Sequence, residues 1–182
     1  MQTPRNAVWQ VFSALAAILL TPLLHAAADN KIPANATSDT SVFRGRYFAV
    51  RHPANFKARA IDAASPREAD AATFTAADGT MAFYVFAPLW AGDAPEIAFD
   101  AARETEISRK TESGKSSGVA GKYAWVTIAA KDKSYTRLYQ HFNADDGSIH
   151  WVIGIKYRSD DALQRYKPAY AKFKASFRQF AD

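Results

Sequence analysis

The sequence predicts an α+β domain built on a mainly antiparallel β-sheet of about five to six strands with helices packed against it. Three observations lead there. Asp78-Gly79 lies between two β-prone runs, residues 71–75 and 80–87, and is a strong short-range hairpin signal. Residues 121–130, 134–142 and 149–157 are rich in β-branched and aromatic side chains, and short polar connectors join them into a meander. Tyr166, Tyr170, Phe173, Phe177 and Phe180 recur at spacings of four, three, four and three, the stripe of a helical segment that faces a core.

The chain opens on a segment read as an address. Arg5 is followed by an apolar run over residues 11–20, Pro22 breaks it, and Ala26-Ala27-Ala28 offers small residues for a signal peptidase. Residues 1–28 are therefore expected to be a cleaved secretory signal. A retained anchor would have only residues 7–24 to work with, close to the ~17-residue lower limit for a spanning helix. Removing 28 residues and the charge of Arg5 from a chain of 182 residues and formal charge +5 leaves 154 residues of charge +4. Such a length is one domain's worth and needs no staple.

Residues 29–42 are polar and aperiodic and read as a flexible lead, with the single domain occupying residues 43–182. Residues 46–51 alternate loosely and stop at His52-Pro53, as a strand ended by proline does. Residues 54–70 hold few large apolar side chains and read as loop. After the Asp78-Gly79 hairpin, Asp93-Ala94-Pro95-Glu96 has the form of a capping box with proline in the first turn, so a helix is expected from there to about Glu112, ended by Ser113-Gly114. After the meander, Ser159-Asp160-Asp161 caps the closing helical segment. Pro168 inside it predicts a short helix followed by a longer one with the proline in its opening turn.

Composition excludes several classes of function. The chain has no cysteine, which removes disulfide frameworks, cysteine-based zinc sites and thiol nucleophiles. Basic residues are spread among acidic ones, a poor footprint for nucleic acid. H-E-x-x-H and S-x-x-K are missing, two of the common signatures of exported hydrolases. Ser113-Gly114-Lys115-Ser116 resembles the end of a phosphate-binding loop, but Arg109 stands where that loop needs glycine.

The order of elements, with Tyr47-Phe48-Ala49-Val50-Arg51-His52-Pro53, Asn55-Phe56, the Asp78-Gly79 hairpin, Gly121-Lys122-Tyr123-Ala124 and Ala175-Ser176-Phe177, resembles the PsbP-like superfamily and its exported bacterial DcrB- and LpqN-type members. The resemblance covers about residues 43–180. It implies an α/β/α sandwich around the antiparallel sheet, used mostly for accessory or binding roles, and it carries no catalytic residues over. The expected protein is thus exported, to the bacterial periplasm or medium, and binds an envelope protein or a small ligand.

Candidate binding residues come from the hairpin spanning residues 135–157. A six-residue loop at 143–148 sets His141 opposite His150, Tyr139 opposite Val152 and Arg137 opposite Gly154, and a tighter turn at Asp146-Gly147 keeps the same residues on the same face. Arg137, Tyr139, His141, His150 and Lys156 then share one face. Two opposed imidazoles would lie within reach of one divalent transition metal or one anion. The alternatives are a small hydrolase-like enzyme or a metal-binding protein centred on His141 and His150. Trp90, between strand and helix, is either a staple onto the sheet or a partner contact. Lys167, Lys172, Lys174 and Arg178 give the last helix a basic outer surface, suited to weak contact with anionic lipid or an acidic partner.

Overall fold

The structure, a computed structural model, describes residues 39–89 and 98–180. The expected signal segment, most of the expected lead, Trp90 and the expected Asp93–Glu96 capping box lie outside the described residues. All strand pairing is antiparallel, so the predicted sheet character holds, but the strands are divided between a three-stranded and a seven-stranded sheet. Among the described residues there is one α-helix. The expected α/β/α layering around five or six strands is corrected accordingly.

The small sheet consists of β1 (Thr40–Arg44), β2 (Phe48–Pro53) and β10 (Arg178–Gln179), in the order β1-β2-β10. Strand structure thus begins at Thr40, inside the expected lead. The large sheet contains β3 (Lys57–Ile61), β4 (Ala71–Thr75), β5 (Met81–Phe86), β6 (Glu104–Ser116), β7 (Val119–Ala130), β8 (Thr136–Ala144) and β9 (His150–Tyr157), in the order β3-β4-β5-β9-β8-β7-β6. The β4–β5 hairpin and the β7-β8-β9 meander are where the sequence places them. Gly79 takes φ +66° in the β4–β5 turn, and Asp78 Oδ1 accepts from the amide and hydroxyl of Thr80.

Two strands were read otherwise. β3 falls in the expected loop, because Lys57-Ala58-Arg59-Ala60-Ile61 buries only Ile61 and partly Ala60 and so carries almost no apolar pattern. β6 occupies the expected helix. Its body is exposed on both faces beyond Glu104, so its Glu, Arg and Lys residues read as helix formers. Pairing along β7 decides the conformation: eleven residues after Glu104 hydrogen-bond or stand opposite that strand, with a bulge between Glu106 and Ser108. Ser113-Gly114 is therefore interior to a strand and not a helix cap. Mixed charges along this exposed edge oppose pairing with other chains.

The helix α1 (Asp160–Ser176) is continuous through Pro168, correcting the expected division into two. Pro168 lies on the exposed side, while Ala162, Tyr166, Ala169 and Phe173 form the buried stripe that holds the helix to the sheet. Ser159 Oγ accepts from the amide of Ala162, the predicted cap. Phe177 and Phe180 follow the helix and are half-buried, with the Arg44 guanidinium over the Phe180 ring at 4.6 Å. Ser176 Oγ accepts from the amide of Arg51 at 2.8 Å, tying the helix end to β2 across 125 positions of chain.

The core lies on one face of the large sheet. Phe74, Phe83, Val85, Phe142, Ile153 and Ile155 meet Phe48 and Val50 of β2 and the α1 stripe, all of them fully or nearly fully buried. Phe83 is its centre, with ring centroids 4.9 Å from Phe56 and 5.0 Å from Phe173. α1 and the small sheet therefore cover this face. The opposite face carries the predicted polar residues.

Candidate functional site

The meander register places Phe142 opposite Trp151 and not Ile149, because a four-residue turn replaces the six-residue loop. The shift is by two residues, so every side chain keeps its predicted face. It does change the partners. His141 stands opposite Val152, His150 opposite Asn143, Tyr139 opposite Gly154 and Arg137 opposite Lys156. The two histidines are diagonal neighbours, not an opposed pair.

Three cross-strand rows define the second face. One reads Arg59, Thr73, Tyr84, Gly154, Tyr139, Val126 and Arg109 from β3 to β6. Beside it runs Ile61, Ala71, Phe86, Val152, His141, Ala124 and Thr111, and on the other side Lys57, Thr75, Ala82, Lys156, Arg137, Ile128 and Glu106. Ile61, Ala71, Phe86 and Val152 of the second row form a small apolar cluster with Tyr84 of the first. The third row is the cationic one.

Gly154 opens this face. It stands between Tyr84 and Tyr139, where a Cβ would come within 2.9 Å of the Leu138 carbonyl oxygen and 3.0 Å of Tyr139 Cβ. The missing side chain leaves a depression of about 200 Å³ bordered by Arg59, Thr73, Tyr84, Arg137, Tyr139 and Lys156. Three cations therefore surround a glycine floor.

Arg137 is held rigidly. Its Nη2 donates to Glu104 Oε2 at 2.6 Å and to the Ala98 carbonyl at 2.9 Å, and its side chain is 9% exposed against 4% for Glu104. Arg137 Nε is buried and has no hydrogen-bond partner among the described residues. Burial pushes the Glu104 carboxyl up, but the Asp100 amide, the Tyr135 hydroxyl and Arg137 together hold it below the usual carboxylate range. Lys156 Nζ sits 3.7 Å from the centroid of the Tyr135 ring. Burial, and then the charge of Arg137, lower its pKa from the ordinary lysine value. Glu104 is the carboxylate paired with Arg137.

His141 is half-buried, its ring edge-on to Tyr139 with centroids 6.2 Å apart, and burial followed by the charge of Arg109 lowers its pKa. Neutral imidazole is thereby favoured. His150 is 7% exposed and edge-on to Phe86 at 5.6 Å, while its carbonyl accepts from Gln179 Nε2. The described residues hold no group of three or more His, Cys, Asp or Glu arranged around a common point. Two diagonal imidazoles would fill half of a tetrahedral site.

The structure thus joins Arg137 and Tyr139 in the depression and sets His141 one row away. Two contributors, Arg59 and Glu104, were not named by sequence reasoning. Arg59 was lost with its strand, although Arg59 and Ile61 at alternate positions were a faint strand signal. Glu104 was lost inside the expected helix. Lys156 was placed on the correct face but had no assigned partner until the register was known. On α1, Lys167, Lys172 and Lys174 are exposed as expected, but Lys174 Nζ donates to Gln140 Oε1 and Arg178 Nη1 donates to the carbonyls of Ala175 and Phe177. Comparison of the chain with protein-family models and with curated proteins gave no match. No helix among the described residues is long and apolar enough to cross a membrane.

Proposed function

We propose that this chain is an exported, non-catalytic binding or accessory protein whose polar sheet face takes a small anion at the depression over Gly154. The observation that carries the reading is the glycine floor. A central strand gives up a side chain in a depression that Arg59, Arg137 and Lys156 all border. Tyr139 borders the same space and can donate to the ligand. The accessory roles implied by the PsbP-like resemblance support binding over turnover, and the G-x-S-x-G letters of residues 114–118 fall on the β6–β7 hairpin, not on the strand-to-helix turn that exposes a nucleophile.

Titration of the full chain with citrate and with inorganic phosphate, followed by backbone amide shifts, tests the reading. Saturable shifts around Gly154 are expected, weakened about ten-fold in Arg59→Ala and in Lys156→Ala. No shifts there, or shifts that both variants leave unchanged, would overturn it.

A further inference from the structure

A second cavity lies on the other side of the molecule, between β2 and α1. It measures about 280 Å³ and is lined by Asp39, Thr40, Arg51, His52, Lys172 and Phe173, among others. His52 was read from sequence only as the end of a strand, and no part of the anion site on the sheet uses it.

The state of its ring follows from one hydrogen bond. His52 Nδ1 lies 2.9 Å from the Pro53 carbonyl oxygen, which can only accept, so Nδ1 carries the proton. Burial lowers the pKa of the ring despite that bond, which favours the neutral form, and its centroid lies 4.7 Å from that of Phe74 with the planes tilted by 34°. Nε2 is then the ring's acceptor. Arg51 and Lys172, both exposed, bring two cations against the single carboxylate of Asp39, and Phe173 supplies an apolar wall. The set requires a ligand with three parts: an anionic group for the cations, a flat apolar body for Phe173, and a hydroxyl or N–H for the imidazole.

We propose that the cavity between β2 and α1 binds a small aromatic hydroxy acid, with its carboxylate at Arg51 and Lys172 and its hydroxyl donating to His52 Nε2. Specificity for the hydroxyl follows because a bound acid lacking it would cover Nε2 without donating to it.

Titration of the isotope-labelled full chain with para-hydroxybenzoate and with para-toluate, which replaces the hydroxyl with a methyl group, tests the proposal. The hydroxy acid is expected to bind about ten-fold more tightly, with shifts centred on residues 51–53 and 169–173. Lys172→Glu, on the exposed side of α1, should weaken both acids about ten-fold, and His52→Phe should remove the preference between them. Arg59→Ala should change neither affinity, which separates this cavity from the site over Gly154. Failure of both acids to shift these residues at about 10 mM, equal affinities for the two, or indifference to Lys172→Glu would each overturn the proposal. The last three outcomes decide the matter even if His52→Phe does not fold.

Discussion

The two faces of the seven-stranded sheet use the same strands, yet one is closed and the other open. On the closed face Phe74, Phe83, Ile153 and Ile155 lie under α1 and β2 in a mainly apolar and aromatic core. On the open face the same strands present Thr73, Tyr84, Gly154 and Lys156, and polarity is tolerated because each buried charge has a partner or a border on solvent. Apolar burial is thus concentrated on one side of the sheet and charged and polar side chains on the other.

Substitutions should separate the faces by size of effect. Phe83→Ala, at the centre of the closed face, is expected to cost about 3–5 kcal/mol in denaturant unfolding, through lost burial and the cavity left between Phe56 and Phe173. A cost near that of a surface change would erase the distinction between the faces.

Glu104→Gln, the one deep charge change on the open face, should cost about 1–3 kcal/mol by leaving Arg137 incompletely paired. Its pH dependence sharpens the point. The Glu104 carboxyl titrates below its unfolded value, so its contribution is fully present above the ordinary glutamate range and is lost as pH falls through the folded pKa. Unfolding measured from neutral to acidic pH should show that loss in the parent chain and a shallower acid limb in the variant. Identical acid limbs would mean that the Arg137 pair does not couple to folding.

Lys156→Ala should be the mildest, within about 0.5 kcal/mol of the parent in unfolding, since the lysine stands at the rim over Tyr135. A larger loss would assign it to the fold and remove it as a clean probe of anion binding.

The closed face was far more legible in the sequence than the open one. Phe173 and Tyr166 announce the helix by spacing, and the Asp78-Gly79 turn fixes a hairpin locally, because burial leaves a period that composition alone reveals. The face assignment of Arg137, Tyr139 and His141 also survives a two-residue change of register, since strand parity is unaffected. What failed had no periodic burial to read. β6 and β3 are edge strands with exposed, charged bodies, and their conformation is decided by partners distant in sequence. The depression was therefore only half visible, its Tyr139 and Arg137 wall legible, its Arg59 wall hidden with β3 and the Glu104 partner of Arg137 hidden with β6.

The bond between the Arg51 amide and Ser176 has a kinetic meaning. The meander and the β4–β5 hairpin close through short turns, but the small sheet must bring β10 back to β2 across most of the domain. Closing so long a loop has an entropic cost that no local contact offsets until the ends meet. The small sheet is thus the slow joint of the fold, and because β2 supplies both Arg51 and His52, the cavity beside α1 comes into being only when that joint closes.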